Sequence, residues 1–328
     1  MLFFISKKIF APSYYRNAIA NIFIFLSLTL LLTTLLEYIL IRVIGFPPYI
    51  FPWYRYSFMM NERFVGGYID TLQTPILGLL GWPHDTAAIF VALFAFSFPY
   101  FFKRIKINGY TNSSVWAIKF PNWLSYSIVV FTAFAVFIVL AVKTHMVTYI
   151  FVLLFLPFIT KGKNLLRNIF IVLCLIIIVL NSNTFQLLIT KKIIEGFVGN
   201  NGQLSTLATI IPENPVADLI NRPIINIFLG KWDYYYTGEL RLLTYTARFG
   251  LVWFFLFVGI FTAGVFHARK IISNRFVRPY DYLFAVGSIG LLSVYFLDMG
   301  HYAKTLFSPN IDILFICLGT LASINNKI

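Results

Sequence analysis

AIANIFIFLSLTLLLTTLLEYIL, residues 18–40, runs for 23 residues with one charged side chain, Glu37, near its end. As a helix it would extend about 35 Å at about 1.5 Å per residue, enough to cross a hydrocarbon layer of roughly 30 Å. A soluble core cannot hide a stretch of this length and polarity, so it decides the fold class. Seven further apolar stretches follow, at residues 86–102, 124–141, 146–158, 169–180, 251–266, 282–297 and 311–324. Most can cross a bilayer once their flanks are counted. Composition agrees, with 59% of residues hydrophobic and only 12% charged. The expectation is an all-α chain: a polytopic integral membrane bundle of about eight transmembrane helices, forming a single membrane domain over residues 1–328.

Aromatic residues make up 19% of the chain. Tyr and Trp gather near the ends of the apolar stretches, among them Tyr49, Trp53, Tyr54, Trp123, Tyr126, Trp232 and Tyr234. That is the distribution of an interfacial belt. Cys174 and Cys317 both lie inside apolar stretches, which is compatible with neither a disulfide framework nor a zinc site. The start, MLFFISKKIF, has too short an apolar run for a signal peptide, and no small-residue cleavage pattern follows it. The first span is therefore expected to act as an uncleaved anchor.

The net charge of +14 is less informative than its distribution. Basic residues cluster on alternate connections: Lys7, Lys8 and Arg16; Lys103, Arg104, Lys106 and Lys119; Lys161, Lys163 and Arg167; Arg269, Lys270, Arg275 and Arg278; then Lys327. Asp281 is the acid among them. The positive-inside rule places these clusters, and both termini, in the cytoplasm. Nucleic acid is the usual partner of a basic chain, but membrane topology accounts for this charge and no nucleic-acid partner is expected. Two long connections, about residues 44–82 and 181–248, and two tight ones, 143–145 and 298–310, then fall on the outer side. The long loops hold most of the acidic residues, so function is expected on that face. His84, His145 and His301 fall there too. Glu37 and Asp312, near outer helix ends, are expected to snorkel to water. No internal repeat is visible, which counts against a transporter built of inverted repeats.

Three constellations on the outer side could carry chemistry. Gly78-Leu-Leu-Gly-Trp-Pro-His-Asp-Thr-Ala-Ala88 reads as a helix entry. Its glycines allow a tight turn, Pro83 suits the first helical position, and Asp85 complements the positive end. It is either a simple re-entry turn or, because helix N-termini attract phosphate, part of an anion site. The second runs from Phe228-Leu-Gly230 through Glu239 and Arg241 to Tyr245 and Arg248-Phe-Gly-Leu251. With a helix beginning near Thr237, Arg241, Tyr245 and Arg248 share one face at spacings of four and three. Two arginines aimed at one spot suit phosphate oxygens. The alternative has Arg248 snorkelling and Arg241 paired with Glu195 or Glu213. The third, Asp298-Met-Gly-His-Tyr302, offers a base held by a carboxylate or a mere surface turn. One His beside one Asp lacks the three protein ligands of a catalytic zinc, and no metal site is expected.

These patches resemble the bacterial O-antigen polymerases and the related O-antigen ligases. GLLGWPHDTAA looks like the family's Gly-x-x-Gly-x-Pro-Asn-x-x-Ala helix-opening signature. FLG followed by GELRLLTYTARFGLVWFFLFVGIF is similar to the closing signature, where a Gly-ended strand-like segment precedes a large outer loop, and a helix opens with an acid or a His–Asn pair. Glu239 and Gly250 fall at the matching positions. GHYAKTLFSPNIDILFICLG is like the last outer turn and final span. The resemblance covers roughly residues 70–324. Family members usually carry an Arg a few residues before the first Gly; Thr74-Pro75 stands there instead, and Arg55 or Arg63 would substitute. Arg55 and Gly66 match an Arg-x10-Gly spacing of some polymerase loops. Members commonly have ten to fourteen spans, so this chain resembles a short version.

The resemblance implies a metal-independent glycosyltransferase of the inner membrane, without cofactor, acting on its periplasmic face. The growing glycan would pass from undecaprenyl pyrophosphate to a sugar hydroxyl on the next lipid-linked repeat unit. Arg222, Arg241 and Arg248 would hold the leaving pyrophosphate, with Tyr245 on the same face. Glu239, or else His301 or His84, would serve as base. Partners implied are undecaprenyl-pyrophosphate-linked oligosaccharides, membrane lipid and a chain-length regulator. Glu239 in place of a His–Asn pair favours polymerase over ligase. A flippase for the same lipid-linked sugars is the reading from a different class; its short loops and charges within the bundle differ from what is read here.

Overall fold

The computed structural model describes residues 2–55, 76, 78–80, 83–102, 121–140, 143–160, 170, 223–231, 241–274, 277–299 and 309–325. Every regular element among the described residues is helical. A short α1 (Leu2–Ile9) leads to the long α2 (Ser13–Tyr38), which widens into a π-helical stretch, Ile39–Ile44, before Gly45 ends it at φ 84°. A 3-10 turn, Pro48–Ile50, and the four-residue α3 (Pro52–Arg55) follow. Next come α4 (Pro83–Phe102), α5 (Asn122–Phe134) with its own π-helical extension Ala135–Leu140, and α6 (Lys143–Thr160). The short α7 (Ile224–Leu229) precedes α8 (Arg241–Ser273), α9 (Pro279–Met299) and α10 (Asn310–Asn325).

Proline marks many of the starts. It stands at the first position of α3, α4 and α9 and immediately before α2, α5, α7 and α10. There its fixed φ is compatible with a helix and its missing N–H is not needed. Seven of the eight apolar stretches lie on these helices; the stretch at residues 169–180 falls outside the described residues apart from Phe170. Among the described residues, four helical stretches are long and apolar enough to cross a membrane: Ser13–Ile44, His84–Phe101, Thr244–Ser273 and Pro279–Met299. Trp123–Phe137 and Asn310–Asn325 are shorter apolar helices. The architecture is that of a helical membrane protein.

Hydrogen bonds define how the helices alternate. Gly78 N donates to Glu37 Oε1 at 3.1 Å, so the end of α2 lies beside the turn that enters α4. Ser125 Oγ donates to Phe101 O at 2.6 Å, joining the end of α4 to the start of α5. Arg16 meets Asp281, so α2 and α9 start at the same end of the bundle. Ser323 Oγ donates to Phe10 O at 3.1 Å, which brings the close of α10 there as well. We call this the proximal end and the opposite one, where α2 finishes and α4 begins, the distal end.

At the centre are α4 and α9. Protein covers 83% of the apolar window of α4 and 78% of that of α9, against 39% for α2 and 22% for α8, so the last two form the periphery. Phe90, Phe94, Phe96, Phe98, Tyr149 and Tyr295 are fully buried between them and α6. Lipid is as apolar as this core, so close packing rather than exclusion from water must hold the helices together. Gly287 and Gly290 of α9 supply it: a Cβ at either would run into the backbone carbonyls of Phe96 or Ala95 on α4. Large apolar side chains such as Phe25, Leu32, Phe255, Leu256 and Phe266 point outward from α2 and α8, the surface a bilayer would cover.

Charge burial departs from expectation. Arg16, a member of the first basic cluster, is buried, and its Nε and Nη2 donate to the two carboxylate oxygens of Asp281 at 2.8 and 3.0 Å. Its Nη1 also donates to the carbonyl of Ala11. A desolvated ion pair persists when further hydrogen bonds support it, as the Ala11 carbonyl does here. Glu37 does not snorkel as its place in the sequence suggests; it is completely buried, because the segments after α2 fold back over it.

Candidate functional site

Polar groups at the distal end stand in three places. The first is centred on Glu37. Trp53 Nε1, on α3, donates to its Oε2 at 3.2 Å, while Gly78 N donates to its Oε1. Gly78 sits at φ 70°, and a Cβ there would strike Thr86 in the first turns of α4. Thr86 Oγ1 in turn accepts from Leu80 N at 3.4 Å. The helix entry expected at Gly78–Ala88 therefore exists, and the carboxylate of α2 holds it. Beside it, Ile41, Phe51, Ile76 and Val139 form a small buried cluster, with Tyr38, Trp53 and Phe134 packed against it. Ile41 and Val139 belong to the two π-helical stretches. Such wide turns inside helices often accompany functional sites.

The second place is the start of α8. Its first leg, residues 241–249, ends at Gly250, whose φ of 82° and ψ of 173° are not helical. Gly230, at φ 82° and ψ 178°, closes α7 opposite it. Each glycine lies against the other's segment: a Cβ on Gly230 would meet the Arg248 carbonyl, and one on Gly250 would meet the Phe228 carbonyl. Lys231 N donates to Ala247 O at 3.3 Å across the same junction. Phe228-Leu-Gly230, which the resemblance casts as strand-like, is instead the end of a helix, started by Pro223, whose carbonyl accepts from Asn226 N and Ile227 N.

Arg248 sits at this junction, half-buried. Its guanidinium carbon is 5.5 Å from the Phe249 ring centroid. Its Nε is buried and has no hydrogen-bond partner, and no acid lies within ion-pair distance of it among the described residues. A buried guanidinium nitrogen without an acceptor is costly. Tyr245, one turn earlier, stacks on Phe249 at 5.8 Å with the rings 7° from parallel. The row continues through Trp253, Phe257 and Phe261 at spacings of four, crossing the break at Gly250.

The third place joins α6 and α9. His145 Nε2 lies 3.7 Å from Asp298 Oδ1, and both side chains are inaccessible to solvent. The sequence offers Asp298 as the possible support of a nearby base; among the described residues the histidine beside it is His145, from a different helix. Tyr295, one turn before Asp298, is buried within reach of its charge. Among the described residues no three His, Cys, Asp or Glu side chains come together as a metal site would need.

Of the residues singled out in the sequence, His84 lies in the first turn of α4, and Tyr245 and Arg248 lie together on the first leg of α8. Arg241 opens α8 and Arg55 closes α3; for these two the backbone alone is described. Glu239, His301, Arg222 and Arg63 lie outside the described residues. Glu37 is a site residue that sequence reasoning misses. Its signal is nonetheless there, as the lone charge in 23 residues of an apolar span. No family model, no curated protein and no solved structure matches this chain.

Proposed function

We propose that this chain is an O-antigen polymerase of a bacterial inner membrane, joining undecaprenyl-pyrophosphate-linked repeat units at the distal end. In this reading the chain has eight spans, both termini are cytoplasmic, and the distal end with the loops at residues 44–82 and 181–248 faces the periplasm. The observation that carries the reading is Arg248: a half-buried cation at the Gly230–Gly250 junction whose Nε lacks an acceptor. A pyrophosphate oxygen would supply one, and Arg241, seven residues earlier on the same helical leg, adds a second cation. Glu239, just before that leg, would take the proton of the accepting sugar hydroxyl as the anomeric carbon–oxygen bond to pyrophosphate breaks and the new glycosidic bond forms. Cations held in a low-dielectric site then stabilise the charge that develops on the leaving group.

A second reading has an observation of its own. The buried Arg16–Asp281 ion pair, and the buried His145 beside Asp298, put ionisable groups inside the bundle, as a flippase for the same lipid-linked sugars would have. The lipopolysaccharide ladder of a strain deleted for this chain separates the readings. Loss of a polymerase leaves core bearing one repeat unit. Bare core would identify a ligase, or a flippase if lipid-linked repeats also fail to reach the periplasm.

A further inference from the structure

Glu37 is completely buried, and its two carboxylate oxygens accept from two separate segments: Trp53 Nε1 on α3 and the backbone N–H of Gly78 before α4. Burying a carboxylate near the end of a membrane helix is expensive, and a Leu or Met in its place would hold the apolar neighbours at lower cost. What those residues lack is two acceptors at one point. Trp53 is two residues from Arg55 on the same four-residue helix, and Gly78 begins the turn that delivers His84 to the first turn of α4. Both ends of the connection between α2 and α4 are thus tied to one side chain. We propose that Glu37 is a positioning residue of the distal site: its carboxylate clasps α3 and the α4 entry together, and so sets where Arg55 and His84 stand relative to the lipid-linked substrate. The catalytic use of the clasp rests on the polymerase reading; the clasp itself does not.

The clasp is tested on the full-length chain in membranes of a strain lacking its own copy. Glu37→Gln keeps the size of the side chain but turns an amide N–H2 toward one of the two donors, opening one arm. Trp53→Phe removes the indole partner alone, without touching the carboxylate. Ile76, buried two residues before Gly78, supplies a reporter. Ile76→Cys, with Cys174 and Cys317 replaced by Ala, is labelled with a membrane-impermeant maleimide in both right-side-out and inverted vesicles. Labelling should be slow with Glu37 in place and about 10-fold faster or more in Glu37→Gln and Trp53→Phe, since a hydrogen bond to a charged group is lost. Labelling unchanged by both variants overturns the proposal.

Kinetics on the lipid-linked repeat unit then read the positioning. Glu37→Gln should raise the apparent KM roughly 10-fold or more, with kcat within about 2-fold, because a displaced substrate-holding segment weakens binding rather than the chemical step. Glu37→Gln combined with Trp53→Phe should fall short of the sum of the single effects, as expected when both weaken the Glu37–Trp53 contact, the Gln variant by removing its charge. A wild-type KM in Glu37→Gln at normal protein level overturns the positioning role. Faster labelling in the variants, found together with no polymerase activity in the wild type, supports the clasp and sinks the polymerase reading instead.

Discussion

Arg248 carries more of the functional argument than any other side chain that the structure describes. Its Nε is buried and unpartnered while its guanidinium lies near the Phe249 ring, so an aromatic face stabilises part of its charge; in the proposed reading the pyrophosphate meets the rest. Removing a charge-assisted contact to a desolvated phosphate costs a few kcal/mol, so Arg248→Ala and Arg241→Ala should each lower polymerisation about 100-fold. Arg→Lys should rescue only in part, because a planar fork becomes a point charge. Full lipopolysaccharide ladders from both Ala variants at normal protein levels would reduce these residues to interfacial anchors. Glu239→Gln is the companion test: loss of a general base typically costs about 10²–10⁴-fold, leaving single-repeat lipopolysaccharide. A carboxylate that merely complements the helix dipole contributes under about 1 kcal/mol, and its Gln variant would polymerise almost normally. If His301→Ala or His84→Ala abolishes the ladder while Glu239→Gln does not, the base is one of those histidines.

The breaks between elements show what the sequence can and cannot reveal. The shared face of Arg241, Tyr245 and Arg248 is legible, because four-and-three spacing fixes it on any helix that reaches Gly250. The break at Gly250 itself is not, since an isolated glycine in an apolar run is usually tolerated within a helix. Only the approach of Gly230, twenty residues earlier, explains it. Likewise Glu37 looks like a snorkelling residue from its place in α2 alone; its burial depends on Trp53 and Gly78, which no local pattern connects to it. A graded prediction belongs to this scale. Gly250 and Gly230 occupy a region of φ and ψ that is essentially glycine's own, where a side chain costs about 1–3 kcal/mol before any clash. Gly250→Ala and Gly230→Ala should therefore lower the midpoint of thermal inactivation sharply. Gly45, at φ 84° and ψ 19° with nothing within 4 Å of where a Cβ would stand, is the control: Gly45→Asn should be nearly neutral, because Asn tolerates that left-handed conformation. Equal midpoints for Gly250→Ala and the parent would mean that the junction with α7 does not hold in the membrane.

For the molecule as a whole, hydropathy locates the helices well because a bilayer permits so few alternatives: a backbone that crosses lipid must satisfy its own hydrogen bonds. It cannot rank the helices. The near-complete coverage of α4 and α9 and the bare faces of α2 and α8 follow from small residues such as Gly287 and Gly290, whose role appears only once Phe96 and Ala95 are seen against them. The alternation of basic connections carries a further consequence for orientation. Lys103, Arg104 and Lys106 follow α4 in sequence, and α4 ends at the proximal end; Arg269 and Lys270 lie in the last turns of α8 at that end, which also holds Arg16. Arg16, however, is neutralised by Asp281, so it adds little to the charge that orients the chain. If the other basic clusters alone suffice, reporter fusions at Lys106, Lys163 and Asn274 should behave as cytoplasmic and one at Gly202 as periplasmic. The pattern should survive replacement of Arg16 and Asp281 by a neutral pair. Removing the charges at 103, 104 and 106 should instead produce mixed orientation of the first two spans. A periplasmic signal from the Lys163 fusion would invert or re-thread the bundle at α6, and the distal end could then no longer be the face that meets the lipid-linked sugars.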